Sequence, residues 1–192
     1  MPKEKMYNIL MDDDIITSIN TNLTVLLGLI PELNDIIGFE HNNPHHHLDV
    51  WNHTLLALSN SSNNFDVRLV LLLHDIGKPY SYQEEAIRHF RGHPKVSSNI
   101  AFNILKRLKF SDDDIYKLCN LIEQHDSPIK EKEILNDKEL VRTKFEIQCC
   151  DALAHNPLKL EKRIKYLLTM NQKLNNELEQ NKRRKLISKF YK

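Results

Sequence analysis

The chain has 192 residues, 41% of them hydrophobic and 28% charged, with a formal net charge of +1. That length suits one domain with a sizeable core, and the composition excludes a disordered polyelectrolyte. The near-zero charge supplies no bulk basic field that would demand nucleic acid.

Four Gly and seven Pro punctuate long periodic stretches, a pattern that favours helices over many short strands. Met1-Pro2-Lys3-Glu4-Lys5 reads as a polar lead without a secretory apolar core. Ile19, Leu23, Leu26 and Ile30 form a stripe that predicts a helix over 15–30, with Asp12, Asp13 and Asp14 at its favourable negative end. Pro31 breaks it, and Leu33, Ile36 and Ile37 make a short helical turn closing near Gly38. A polar loop over 40–44 leads into His45-His46-His47. The pattern resumes from Asp49 with Val50, Trp51, Thr54, Leu55 and Leu58, a helix that contains His53. A Ser/Asn linker covers 59–64.

Residues 69–73 are five consecutive aliphatics that run into His74-Asp75-Ile76-Gly77-Lys78-Pro79. A buried helix over 66–76 is predicted. Placing an imidazole and a carboxylate at its end is costly unless a partner or a metal satisfies them. Taken alone, the pair reads first as a His–Asp hydrogen bond at a frayed helix end. Residues 77–93 read as a loop, interrupted by Glu84-Glu85-Ala86-Ile87, and loops of this length are usually functional. The loop carries His89, Arg91 and His93, and Pro94 suits the first turn of the helix that follows, with Val96, Ile100, Ile104, Leu105 and Leu108 on its buried face. Ser111 and Asp114 resemble a capping box. Ile115, Leu118, Ile122 and His125 then share one stripe of a helix ended by Pro128. A helix over 138–155 places Asp151 among small and apolar residues, and Asn156-Pro157 breaks it. A long amphipathic helix over 158–192 ends in Lys182-Arg183-Arg184-Lys185.

No apolar run approaches the ~18 to 20 residues of a membrane span, so no membrane partner is expected. Cys119, Cys149 and Cys150 form no CxxC pair, and an odd, unpaired set points to a reduced, cytoplasmic location.

The buried or loop-junction candidates are His53, His74, Asp75, His93, His125 and Asp151. Four imidazoles and two carboxylates suit one or two divalent transition ions, Fe, Mn, Ni, Co or Zn, with Mg as a further candidate. Asp75 is the expected bridge, held beside another ligand on a rigid helix. Each residue has another reading. His53 suits a core imidazole bonded to a carbonyl, His93 a cap, and His125 a helix-end pair with Asp126. His89 suits a substrate contact or a solvated ring.

Three stretches carry a resemblance: His46-His47-Leu48-Asp49-Val50-Trp51-Asn52-His53-Thr54-Leu55, His74-Asp75-Ile76-Gly77-Lys78-Pro79, and Arg91-Gly92-His93. With Asp151-Ala152-Leu153-Ala154-His155-Asn156-Pro157 they resemble the HD-domain metal-dependent phosphohydrolase superfamily over about residues 25–165. The closest likeness is to the HD region of CCA-adding tRNA nucleotidyltransferases and poly(A) polymerase-like proteins. The Gly-Ser and paired-Asp polymerase motif of their nucleotidyltransferase head is not in these 192 residues. The expectation is therefore a single all-α HD-type helical bundle standing alone over 1–192, with its motif region at about 40–160, and without nucleotide addition.

The resemblance implies His53, His74, Asp75 and Asp151 as the primary metal set, with His93 and His125 added in two-metal members. It makes Lys78 the basic residue that meets phosphate. Asp75, Lys78 and His89 are the expected catalytic residues, and Lys78, Arg91 and His47 the expected substrate contacts. His46 and His47 are candidates for the site mouth, with surface polarity as the default for both. His41, His45 and His155 are assigned structural or exposed places. The expected activity is hydrolysis of a nucleotide or RNA-like phosphate ester by a metal-activated hydroxide. The alternative is a non-catalytic nucleotide- or RNA-binding or protein-interaction module. The C-terminal helix is a candidate homodimer surface.

Overall fold

The computed structural model describes the backbone of residues 1–83 and 87–190 and side chains through residue 175. Within them lie ten α-helices and no strand, only an isolated bridge between Gln83 and His89. The all-α expectation holds. Glu84, Glu85 and Ala86, expected to interrupt the loop, and the basic side chains near residue 183 lie outside the described set.

The first helix, α1 (Pro2–Leu10), replaces the expected polar lead and buries Met6, Ile9 and Leu10. The helix predicted over 15–30 is two helices, α2 (Ile15–Thr21) and α3 (Leu23–Leu29). The break falls at Asn22, whose side chain donates to the Ser18 carbonyl at 2.9 Å. Such local side-chain bonds compete with helix continuation. Asp14 caps α2 by accepting from Thr17 N at 3.1 Å. Ile30 leaves the helical region before Pro31, which opens a 3-10 turn to Asp35.

Asp49 caps α4 (Val50–Ser59), and Asn64 caps α5 (Phe65–Leu73). Every residue of α5 from Val67 to Leu73 is buried, as a helix apolar on all sides requires. Its one cation, Arg68, turns to the loop side, where Nη1 donates to the Leu10 and Asp12 carbonyls at 2.6 and 2.8 Å. Then come α6 (His93–Arg107), α7 (Asp112–Glu123), α8 (Glu131–Asn136), α9 (Lys138–Ala154) and α10 (Glu161–Phe190). Ser111 caps α7 as the sequence suggested. The short α8 was not expected.

Helix α5 is central, packed against α4, α7 and α9, while α6 lies on α7 and α4 on α9. A principal core runs from α1 to α9, and a smaller apolar cluster of Ile129, Ile134, Val141, Met170 and Leu174 joins α8 and α9 to α10. No described helix is long and apolar enough to cross a membrane. All three cysteines are free.

Candidate metal centre

Several helix ends converge beside α5. His74 is the residue after its last turn, and Asp75 lies in the tight turn beyond, so the expected placement of both on the helix is corrected. His93 opens α6, and Asp151 projects from the last turns of α9. His125 follows the end of α7 at Glu123, two residues past the helix, which stops earlier than Pro128 predicted. His53 lies in the first turns of α4. His53, His74, Asp75, His125 and Asp151 are all buried.

The turn after α5 passes close under α6. Gly77 N donates to Ser97 Oγ at 2.9 Å. A Cβ at Gly77 would sit 2.5 Å from Ser97 N and 2.9 Å from the His93 carbonyl. Only a residue without Cβ lets α6 carry His93 to Asp75.

The carboxylate of Asp75 divides the imidazoles into two sets. Oδ2 lies 3.2 Å from His74 Nε2 and 3.6 Å from His53 Nε2. Oδ1 lies 3.2 Å from His93 Nε2 and 4.0 Å from His125 Nε2. Asp151 Oδ1 closes the first set, 3.1 Å from His53 Nε2 and 3.6 Å from His74 Nε2. The Nε2 atoms of His93 and His125 are 3.4 Å apart.

All four imidazoles are held by the other nitrogen. Nδ1 donates to the carbonyl of Ala154 from His53, of Leu71 from His74, of Phe90 from His93 and of Ile122 from His125. A carbonyl accepts only, so each contact puts a proton on Nδ1 and turns Nε2 inward. An imidazole lone pair facing a carboxylate oxygen at 3.1 Å is repulsive unless a proton or a cation lies between them. Nε2 of His74 and Oδ1 of Asp75 are buried without a hydrogen bond, and Oδ2 of Asp75 faces the Lys78 ammonium at 2.7 Å. The donor set, its tautomers and these orphaned atoms fit a pair of divalent transition ions sharing Asp75.

The electrostatics agree. Burial, the largest influence, pushes the Asp75 carboxyl up, but His74 and Lys78 hold it well below the usual carboxylate range. Asp151 is likewise low against burial through His53 and His74. Burial lowers His125 to about 4, leaving it neutral. His74 goes the other way: Asp75 and Asp151 outweigh burial and raise it to about 10.

The other predicted residues are distributed around this centre. A cavity of 380 Å³ over it is lined by Asp75, Lys78, His89, Arg91, His93, His125 and Asp151, among others. His89 and Arg91 are on its exposed rim. His47, an expected substrate contact, is exposed and is not among the lining residues. Its neighbour His46 lines the cavity instead. Lys78, expected to reach a bound anion without being a metal ligand itself, is buried, with Nζ 2.7 Å from Asp75 Oδ2.

Two histidines assigned structural or exposed places, His41 and His155, belong here, while His45 is exposed. His41 is buried, accepts from Lys78 Nζ at 2.8 Å and stacks on His46 with ring centroids 3.8 Å apart. His155 Nε2 lies 3.5 Å from Asp151 Oδ1, and with His46 and His53 it forms a third group of mutually close donors. The i,i+4 spacing of Asp151 and His155 was the available signal for that placement. No spacing pointed to His41.

A family model described as "HD domain" matches residues 45–168. The chain is similar to the CC-adding tRNA nucleotidyltransferase of Thermus thermophilus, 34% identical over 109 residues, which cover 52% of this chain and 25% of that protein. It is also similar to the A-adding tRNA nucleotidyltransferase of Deinococcus radiodurans, 31% identical over 133 residues, or 64% of this chain and 30% of that protein. The chain thus spans less than a third of the length of these relatives.

Proposed function

The chain belongs to the HD domain family, and from that premise we propose that it is a metal-dependent phosphohydrolase acting on a nucleotide or RNA-like phosphate ester. One observation carries the reading: each oxygen of Asp75 faces its own pair of inward-turned imidazoles. His53, His74, Asp151 and Oδ2 of Asp75 would hold one ion, and His93, His125 and Oδ1 of Asp75 the other. When bound, divalent ions supply charge neutralisation on phosphoryl oxygens and acidify water.

The chain's own residues perform the remaining work. The carbonyls on the four Nδ1 atoms fix the rings so that no reorganisation is needed when a ligand arrives. Lys78, with Nζ 2.7 Å from Oδ2, holds the Asp75 carboxylate in place and lends positive charge to the cavity floor. His89 and Arg91, on the exposed rim, meet the phosphoryl oxygens or the leaving group.

Elemental analysis of protein purified without added metal, combined with a phosphomonoester and phosphodiester panel, tests the reading. The expected result is transition metal at up to two equivalents and turnover on at least one ester. The names of the similar proteins, which act on tRNA, favour a second reading as a nucleotide- or RNA-binding module. Metal-loaded protein that binds nucleotides and hydrolyses no ester would replace the first reading with the second.

A further inference from the structure

His125 sits in the turn between α7 and α8, where its backbone N–H reaches the Ile122 carbonyl only at 3.4 Å. Just beyond it, side chains from two other helices fasten the backbone. Gln148 of α9 is fully buried, and its Nε2 donates to the Ser127 carbonyl at 2.7 Å. Gln148 Oε1 accepts from the Tyr166 hydroxyl of α10 at 3.3 Å, and that hydroxyl accepts from Ile129 N at 2.9 Å. Pro128, between Ser127 and Ile129, has no N–H of its own. Gln148 and Tyr166 therefore close a ring of hydrogen bonds around it.

The other side of His125 is tied to the same helix. Lys144, one turn before Gln148, is buried and donates to Gln124 Oε1 at 3.1 Å. Lys144, Gln148 and Asp151 follow the i, i+4, i+7 spacing of one helix face. That face of α9 thus offers Asp151 to the first ion directly and reaches His125 through the turn. Tyr166 also packs on the apolar cluster of Ile129, Met170 and Leu174, which docks α10. The first ion's other ligands need none of this, since His53 and His74 belong to α4 and the end of α5, both packed on α9.

We propose that Gln148 and Tyr166 are positioning residues for the second ion. The ring they close around Pro128 holds the His125 turn in its ligating place, so that docking of α10 sets the affinity of the His93–His125 site and leaves the first site unchanged. This concerns the regulation of the two-ion centre described above and rests on that reading. With the ring broken, the Ser127 carbonyl or the Ile129 N–H loses its partner and the turn relaxes away. The affinity of the second ion then falls by the fraction of molecules that keep His125 in place.

Titration of the chelated full chain with Mn²⁺, read by the paramagnetic resonance of free and bound ion, tests this beside thermal unfolding of each variant. The wild type is expected to show two binding steps. Tyr166→Phe, which keeps the ring and removes only the hydroxyl, and Gln148→Met should each weaken the second step by about 10-fold, the order of one hydrogen bond, and spare the first. The double variant should be little weaker than either single one, because both break the same ring. Leu26→Ala, a buried site in α3, should lower the unfolding temperature and leave both steps as in the wild type. A second step unchanged in Tyr166→Phe and Gln148→Met would overturn the proposal alone, as would equal weakening of both steps or the same selective loss in Leu26→Ala. A single step in the wild type would overturn the two-ion reading and the proposal with it. Absence of ester turnover with the selective loss intact would count against the hydrolase reading alone.

Discussion

Lys78 Nζ lies 2.7 Å from Asp75 Oδ2, three residues back along the chain, and both side chains are buried. The same Nζ donates to His41 Nε2 at 2.8 Å, and His41 Nδ1 donates to the Leu48 carbonyl at 2.7 Å. A chain of contacts thus runs from the loop before α4 to the Asp75 carboxylate. The cation that the sequence assigned to substrate phosphate is first a partner of Asp75.

Lys78→Ala therefore does more than remove a phosphate contact. Truncating one member of a buried ion pair typically costs ~3–5 kcal/mol because the other charge is left uncompensated. Thermal unfolding of Lys78→Ala should show a large loss in the chelated protein and a smaller one with metal present, since a bound cation also compensates Asp75. Equal losses in the two states would mean that Asp75 is not a metal ligand.

Gly77 sets the distance between the two halves of the centre. A methyl group there meets the α6 backbone at Ser97 and the His93 carbonyl. Gly77→Ala should push α6 away, and its metal stoichiometry should drop toward that of His93→Ala, with the His53, His74 and Asp151 side still loaded. Full stoichiometry in Gly77→Ala would show that α6 can shift without cost to the site.

The six ligand candidates were legible because each sits on, or one turn from, a strong helical stripe, so the apolar pattern itself aimed them inward. What escaped was set by loops. The segment from Gly38, where φ is +72°, folds back over the end of α4 and brings His41 and His46 into contact. No periodicity encodes that return, so His46 and His47 could not be told apart; the structure turns one ring in and the other out. The break at Asn22 is a local hydrogen-bond effect beneath an apolar stripe that continues across it. α1 and α8 are too short for their stripes to rise above their charged residues.

Proton and metal compete at His74. Its ring is raised to about 10, the effects of Asp75 and Asp151 outweighing the larger single opposing effect of burial. To offer Nε2 as a ligand it must release that proton, so metal uptake should liberate protons, and affinity should climb as pH rises toward 10. The sign reverses for stability of the chelated protein. A folded value above the unfolded 6.5 stabilises fully below 6.5, and that stabilisation is lost as pH rises through about 10. Calorimetry of metal binding in two buffers of different ionisation enthalpy measures the proton count; zero release would contradict the assignment of His74 as a ligand.

The central claim is that Asp75 is shared by two metal sites, one on each carboxylate oxygen. Anomalous scattering from crystals grown with manganese, recorded on both sides of its absorption edge, tests it most directly. The account predicts two peaks flanking Asp75, one among His53, His74 and Asp151 and the other beside His93 and His125. A map without a peak at Asp75, or with one peak that leaves His93 and His125 bonded elsewhere, would contradict it.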